Sequence, residues 1–213
     1  DAPRKDEILP YIERLRDETK IPIIYVSHSI AEVARIANTM VLLSDGRVDA
    51  VGPVAEVMGR LDLYPKTGRF EASAVLETRV ERHDDTYRLT LLATPAGPIS
   101  VPRLDLPVGS PVRVRIRARD VIVAVQPPQG LSALNVLSGR VTEIGPETGS
   151  ARNIKIGFAE GALLARVTER SRVALDLAPG HEVFAIVKSV AIDRQNLAGL
   201  PAHGPGEDDT FDL

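Results

Sequence analysis

Five side chains between positions 132 and 188, Ser132, Asn135, Thr168, Ser171 and Lys188, are of the types that can replace the water shell of a small anion. Hydroxyls and a carboxamide donate hydrogen bonds, and one ammonium balances charge. Ser132 and Asn135 lie in LSALNVLSGRVTEI (131–144), directly after a Pro-Pro-Gln-Gly break. Backbone N–H groups leaving such a break have no ladder partner, and beside short polar side chains they form an anion nest. Ser and Asn are also ordinary turn residues, so the stretch by itself reads as a loop too. Thr168 and Ser171 fit the N-cap and N3 positions of a short helix in TERSRVALDL (168–177), whose first N–H groups are unsatisfied. Lys188 falls in EVFAIVKSVAI (182–192). There Phe184, Ile186, Val190 and Ile192 share its face of a predicted strand, and Val183, Ala185, Val187 and Ala191 fill the other. A lysine on such a face needs a negative partner or a route to solvent. Far upstream, His28 follows the apolar run IPIIYV (21–26), at the carboxyl end of a predicted strand where α/β sheets bind ligands. A capping or partly buried imidazole is the alternative there.

The elements that must hold these residues change character along the chain. Asp6 to Thr19 reads as a helix with Ile8, Leu9, Ile12 and Leu15 on one stripe and Glu7, Glu13, Arg14 and Asp17 pointing away. Ile21 to Val26 reads as a strand covered on both faces, as in a parallel sheet. A helix from about Ile30 to Asn38, a strand from Met40 to Ser44, an Asp45-Gly46 turn and a strand from Arg47 to Val51 follow. A short helix is expected from Pro53 to Gly59. After a linker at 61–69 the pattern becomes β: Ala74 to Arg82 and Thr86 to Ala93 about a His83-Asp84-Asp85 turn, then Pro98 to Val101 and Val112 to Ile116. LPVGSPVRVRI (106–116) and LAPGHEVFAIV (177–187) share one pattern 71 residues apart, which predicts a repeat. Two tandem OB-like small β-barrels, at 70–127 and 131–193, fit this spacing. Arg113, Arg115, Arg117 and Arg119 share one parity, either as an anion-binding stripe or as a solvated, ion-paired sheet face. Residues 198–213 read as a disordered acidic tail.

Composition removes several classes of function. The 213 residues carry a net charge of -3 and only 4% aromatics, against both a basic field for nucleic acid and a base-stacking platform. There is no Cys, hence no thiol chemistry and no Cys-type metal site, and no metal ligands are expected elsewhere. No apolar run approaches the roughly 20 residues of a spanning helix. An OB-like nucleic-acid binder remains the alternative from another class.

IPIIYVSHSIAEVARIANTMVLLSDGRVDAVG resembles the switch-histidine segment of ABC transporter ATPases. The resemblance implies that His28 contacts a γ-phosphate and that Asp1 ends a D-loop. Residues 1–60 would then be the α/β remnant of an ABC ATPase domain. No G-x-x-x-x-G-K-[ST] occurs, nor a signature loop or a magnesium-holding acidic strand, so this stretch is expected to be a C-terminal fragment, inactive alone. Ser132 and Asn135, then Thr168 and Ser171, then Lys188 are similar in order to the pattern of the Mop/TOBE-type domain found in ATPase subunits of molybdate ABC transporters. By that resemblance Ser132, the Leu134 backbone, Asn135, Thr168, Ser171 and Lys188 bind molybdate or tungstate between two barrels. It further implies ATP and Mg in the full-length parent, a homodimer, membrane permease partners and a peripheral place on the cytoplasmic face of the bacterial inner membrane. Leu134 stands where the family has arginine. Barrels that are purely structural, in an importer of another solute, are the reading this departure favours.

Overall fold

The structure, a computed structural model, describes residues 2–19, 21–64, 72–192 and 197–198. Asp1, linker residues 65–69 and tail residues 199–213 lie outside the described residues.

The first part is a small α/β unit: α1 (Ala2–Thr19), α2 (Ile30–Ile36), a hairpin of β1 (Thr39–Ser44) and β2 (Arg47–Pro53), and α3 (Val54–Met58). The hairpin turns at Asp45 and Gly46, both with positive φ (49° and 73°), the backbone that favours Asp-Gly in a tight hairpin. Two expectations fail here. IPIIYV is not a strand: among the described residues it pairs with nothing, and Ile24 and Val26 are 93% and 88% exposed. A strand needs neighbours for its N–H and C=O groups, and only two described strands, already paired with each other, lie in this unit. Nor does the apolar stripe of α1 pack as expected. Leu9 is buried, but Ile8 and Leu15 are exposed, while Glu13 is buried in an ion pair with Arg35.

Met40, Ala50, Val54, Val57, Met58, Leu63 and Ala34 make the core of this unit, and Val75 from the next part joins it. The expected linker therefore begins as structure. Leu61–Leu63 form a 3-10 turn; Leu63 packs in the core of this unit, and Leu61 and Tyr64 are buried with Ala72, Ala118 and Leu164 of the part that follows. The Tyr64 hydroxyl donates to the Met58 carbonyl.

The rest is two five-stranded curled sheets. The first has the order β12-β6-β3-β4-β5, with β3 (Ser73–Asp84), β4 (Leu89–Ala93), β5 (Ile99–Pro102), β6 (Pro111–Arg117) and β12 (Leu197–Ala198). The second has the order β10-β9-β8-β11-β7, with β7 (Val121–Ala124), β8 (Asn135–Thr148), β9 (Ala151–Gly157), β10 (Ala162–Thr168) and β11 (Glu182–Val187); α4 (Glu169–Ala174) follows β10. The 71-residue repeat is real in three dimensions. Gly109 and Gly180 both take positive φ (88° and 95°) at the turns into β6 and β11, and their N–H groups donate to Val80 and Val141 at 2.8 and 2.7 Å.

The units do not divide at 127 and 131, however. β7 leaves the first repeat to pair with β11, and β12, which includes Ala198 from the expected tail, returns to pair with β6. Each repeat alone leaves one sheet edge open, and the exchanged strands fill both edges. One apolar cluster, including Leu76, Val114, Leu137, Ile154, Val187 and Leu197, runs through both sheets.

Candidate functional site

Lys188 does not lie in a long strand. β11 stops at Val187, and Lys188 begins a 3-10 turn, Ser189–Ala191, with its side chain exposed. The desolvation argued from an extended strand therefore does not arise, and the ammonium is in water.

Val187 pairs with Asn135 in β8 and Val121 in β7, so the start of β8 lies beside Lys188. Ser132 and Leu134, just before β8, are exposed; Leu134 is 59% so. Alternation along the strand sends Asn135 the other way, where it is 2% exposed. Its carboxamide oxygen accepts from the Ser100 N–H at 2.6 Å and its nitrogen donates to the Ser100 carbonyl at 3.0 Å. Asn135 thus pairs with β5 as a backbone would. The side chain expected to bind an anion is instead spent tying the two sheets together.

Thr168 and Ser171 form the expected N-cap. The Thr168 hydroxyl accepts from the Ser171 N–H at 3.0 Å, and the two hydroxyls are 2.8 Å apart. One of the two donates to the other, leaving one hydroxyl proton free for a ligand. These residues follow Ala151 and Thr148 in the strand pairing, at the far end of β8 from Asn135. Along β8 that is a contour of about 43 Å at about 3.3 Å per residue. Within one chain the structure therefore groups Ser132, Leu134 and Lys188 at one end and Thr168 with Ser171 at the other.

Sequence reasoning missed the groups that fix α4. Glu169 accepts from Arg172 Nη2 at 2.8 Å and from Arg152 Nε at 2.6 Å, and Arg152 also reaches Glu147 at 3.1 Å. These hydrogen bonds, from Arg172 first and Arg152 next, hold the Glu169 carboxyl down to about 2. The i,i+3 spacing of Glu169 and Arg172 was the available signal; Arg152 comes from another strand and left none.

In the first unit His28 is exposed, between Ser27 and Ser29. Ser29 caps α2, accepting from the Glu32 N–H at 3.4 Å, and Glu32 also accepts from Ser27 at 2.5 Å and Tyr25 at 2.8 Å. Burial and the bond to Glu32 raise the Tyr25 phenol above its ordinary value. In the arginine stripe, Arg113 is ion-paired with Glu77 at 2.8 Å, which supports the ion-paired reading for that residue, and the buried Arg115 donates to the Ser73 hydroxyl at 3.1 Å.

Residues 131–193, which hold most of the second curled sheet and the Lys188 turn, match the family model of the TOBE domain. The resemblance read from the sequence, to ATP-binding subunits of molybdate importers carrying such a domain, is what the wider comparisons find. The chain is 56% identical over 97% of its length to Molybdenum import ATP-binding protein ModC of Mesorhizobium japonicum, covering 56% of that protein. It is 50% identical over 91% of its length to the protein of that name from Rhizobium etli, covering 54% of it. The chain thus spans about half the length of the curated relatives it matches. A crystal structure of the cytoplasmic molybdate-binding protein ModG, with molybdate bound, superposes with a TM-score of 0.52 at 21% identity, covering 60% of this chain and 95% of that one, a likeness of fold. The names of these relatives accord with the oxyanion reading, not with barrels for another solute or with nucleic-acid binding.

Proposed function

We propose that this chain is part of the ATP-binding, energy-coupling subunit of a molybdate or tungstate ABC importer, and that its curled sheets bind the oxyanion and regulate transport. The observation that carries this reading is the 56% identity to Molybdenum import ATP-binding protein ModC across nearly the whole chain. Lys188 supplies the positive charge, Ser132 a hydroxyl, and the backbone around Leu134 its N–H groups. Thr168 and Ser171 come from a second copy, because one chain keeps them at the opposite end of β8.

The surface beside Lys188 supports a homodimer. Ile186 of β11 is flanked in register by Ile122 and Val136, both exposed, with Leu134 further along the same face. Such a contiguous apolar row beside a polar site is characteristic of an interface. Regulation requires that the anion bind two arrangements of the dimer with different affinity, since equal affinity shifts nothing. Permease subunits at the cytoplasmic face of the bacterial inner membrane are the partners of this reading.

ATP and Mg belong to the longer parent. Among the described residues no cluster of carboxylates and imidazoles is placed to hold a metal, and the run before His28 is unpaired and exposed.

Titration calorimetry with molybdate, tungstate and sulfate tests the proposal. Molybdate and tungstate give heat and sulfate does not; Lys188→Ala and Thr168→Ala weaken binding. Leu134→Arg adds a charge-assisted hydrogen bond worth about 1.5–3 kcal/mol and tightens binding about ten- to a hundredfold. No heat from either oxyanion would remove the sensing function.

A further inference from the structure

Arg113, on β6, reaches out of its sheet and closes on the C-terminal end of α2. Its Nη1 donates to the Ala37 carbonyl at 2.8 Å and the Ala34 carbonyl at 3.3 Å, and its Nη2 to Asn38 Oδ1 at 3.4 Å. Nε donates to Glu77 at 2.8 Å, the residue opposite Arg113 in the β3–β6 register, which fixes the fork in place. The last carbonyls of a helix have no partner within it, so a guanidinium there both bonds them and complements the dipole. α1 does the same from the other side: Arg16 Nη1 donates to the Ile36 carbonyl at 2.8 Å. α2 is only seven residues long, and its N-cap, Ser29, adjoins His28. A helix of two turns gripped at its end moves as one body.

The other edge of β6 faces the second sheet's chain. Arg113 and Val114 pair with Ala198 and Leu197 of β12, nine residues beyond Lys188. Ala31, Ala34, Arg113, Leu197 and Ala198 line one small cavity between α2 and this edge of β6. β12 thus pairs with β6, Arg113 of β6 bonds the end of α2, and His28 adjoins the α2 cap. On the other side, Val187 and Ile192, which flank Lys188 and its turn, share one apolar cluster with Leu197 of β12.

We propose that Arg113 is a positioning residue that passes the state of the Lys188 end of the second sheet to α2, and so to His28. The proposal rests on the oxyanion reading above. Anion capture by Lys188 tightens its 3-10 turn, whose neighbours Val187 and Ile192 pack in the cluster that holds Leu197 of β12; β12 holds β6, and the Arg113 fork fixes α2 against the first sheet. Coupling of this kind needs a continuous packed or bonded connection between the sites, which the apolar cluster from Val187 and Ile192 to Leu197, then β12 and Arg113, supply.

Hydrogen exchange of the 213-residue chain with and without sodium molybdate tests this, with calorimetry on the same samples. In the parent sequence, molybdate slows exchange of the α2 amides about fivefold, within the usual range of coupling between sites. In Arg113→Gln the molybdate affinity stays the same and the α2 response disappears. Arg113→Lys, which keeps the charge and loses the fork, behaves like Arg113→Gln. If Arg113→Gln fails to fold, Glu77→Ala, which removes the acceptor that holds Nε and leaves the helix contacts, decides by the same loss of response. Molybdate heat without any α2 response in the parent sequence overturns the coupling and leaves the binding proposal standing. An equal α2 response in the variants also overturns it. Absence of molybdate heat in the parent sequence overturns both.

Discussion

Glu169 shows how a single carboxylate decides the shape of a binding region without touching a ligand. It stands next to Thr168, at the start of α4, where an unpaired negative charge would repel an oxyanion. Arg172 and Arg152 neutralise it, and their bonds hold its carboxyl at about 2, below the ordinary value of 4.5. A lowered folded value means that the network adds stability above about pH 4.5 and loses it as the pH falls toward about 2. Hydrogen exchange of α4 amides should therefore quicken across that window, and Glu169→Gln should remove the pH-dependent step. The residue types of the candidate site were legible in the sequence, since hydroxyls and one lysine stand there in the order of the family pattern that the chain resembles. Their surroundings were not. Asn135 has the chemistry of a ligand and the position of a tie, and only its 2% exposure and its two bonds to Ser100 tell these apart.

Among the elements, β8 and β5 belong to different sheets yet are joined through that one carboxamide. Asn135→Ala leaves the Ser100 N–H and carbonyl without their partner, and a buried orphan pair costs about 1–3 kcal/mol. Urea unfolding should show that loss, while calorimetry should show anion affinity unchanged; a large fall in affinity would return Asn135 to the site. Local sequence specified the Asp45-Gly46 hairpin, the α4 cap at Thr168 and the repeated turns at Gly109 and Gly180, because each depends on one or two residues and the backbone they favour. It misjudged IPIIYV and the end of β11, because a strand is a relation between two segments and its partners are set elsewhere.

For the molecule as a whole, the exchange of β7 and β12 makes the two sheets a single cooperative body. Leu197 is buried, pairs with Val114 and belongs to the common cluster. Leu197→Ala should cost about 2–5 kcal/mol. Calorimetric unfolding should keep one transition, shifted downward, with amides of both sheets losing protection together; loss confined to the first sheet would show that the sheets unfold separately. The same exchange places β12 against α2, so the first unit and the sheets meet through β6 and β12.

By itself the sequence determined a change from α/β to β grammar, a repeat 71 residues apart and an ordered set of hydroxyl, carboxamide and lysine side chains that could meet an anion. These follow from periodicity, turn chemistry and residue type, all of them local. Tertiary structure alone decided which repeat owns which strand, that Asn135 faces inward, and that Thr168 and Lys188 stand at opposite ends of one strand. Those outcomes depend on which edges pair and which face is buried, and pairing is a property of segments far apart in the chain.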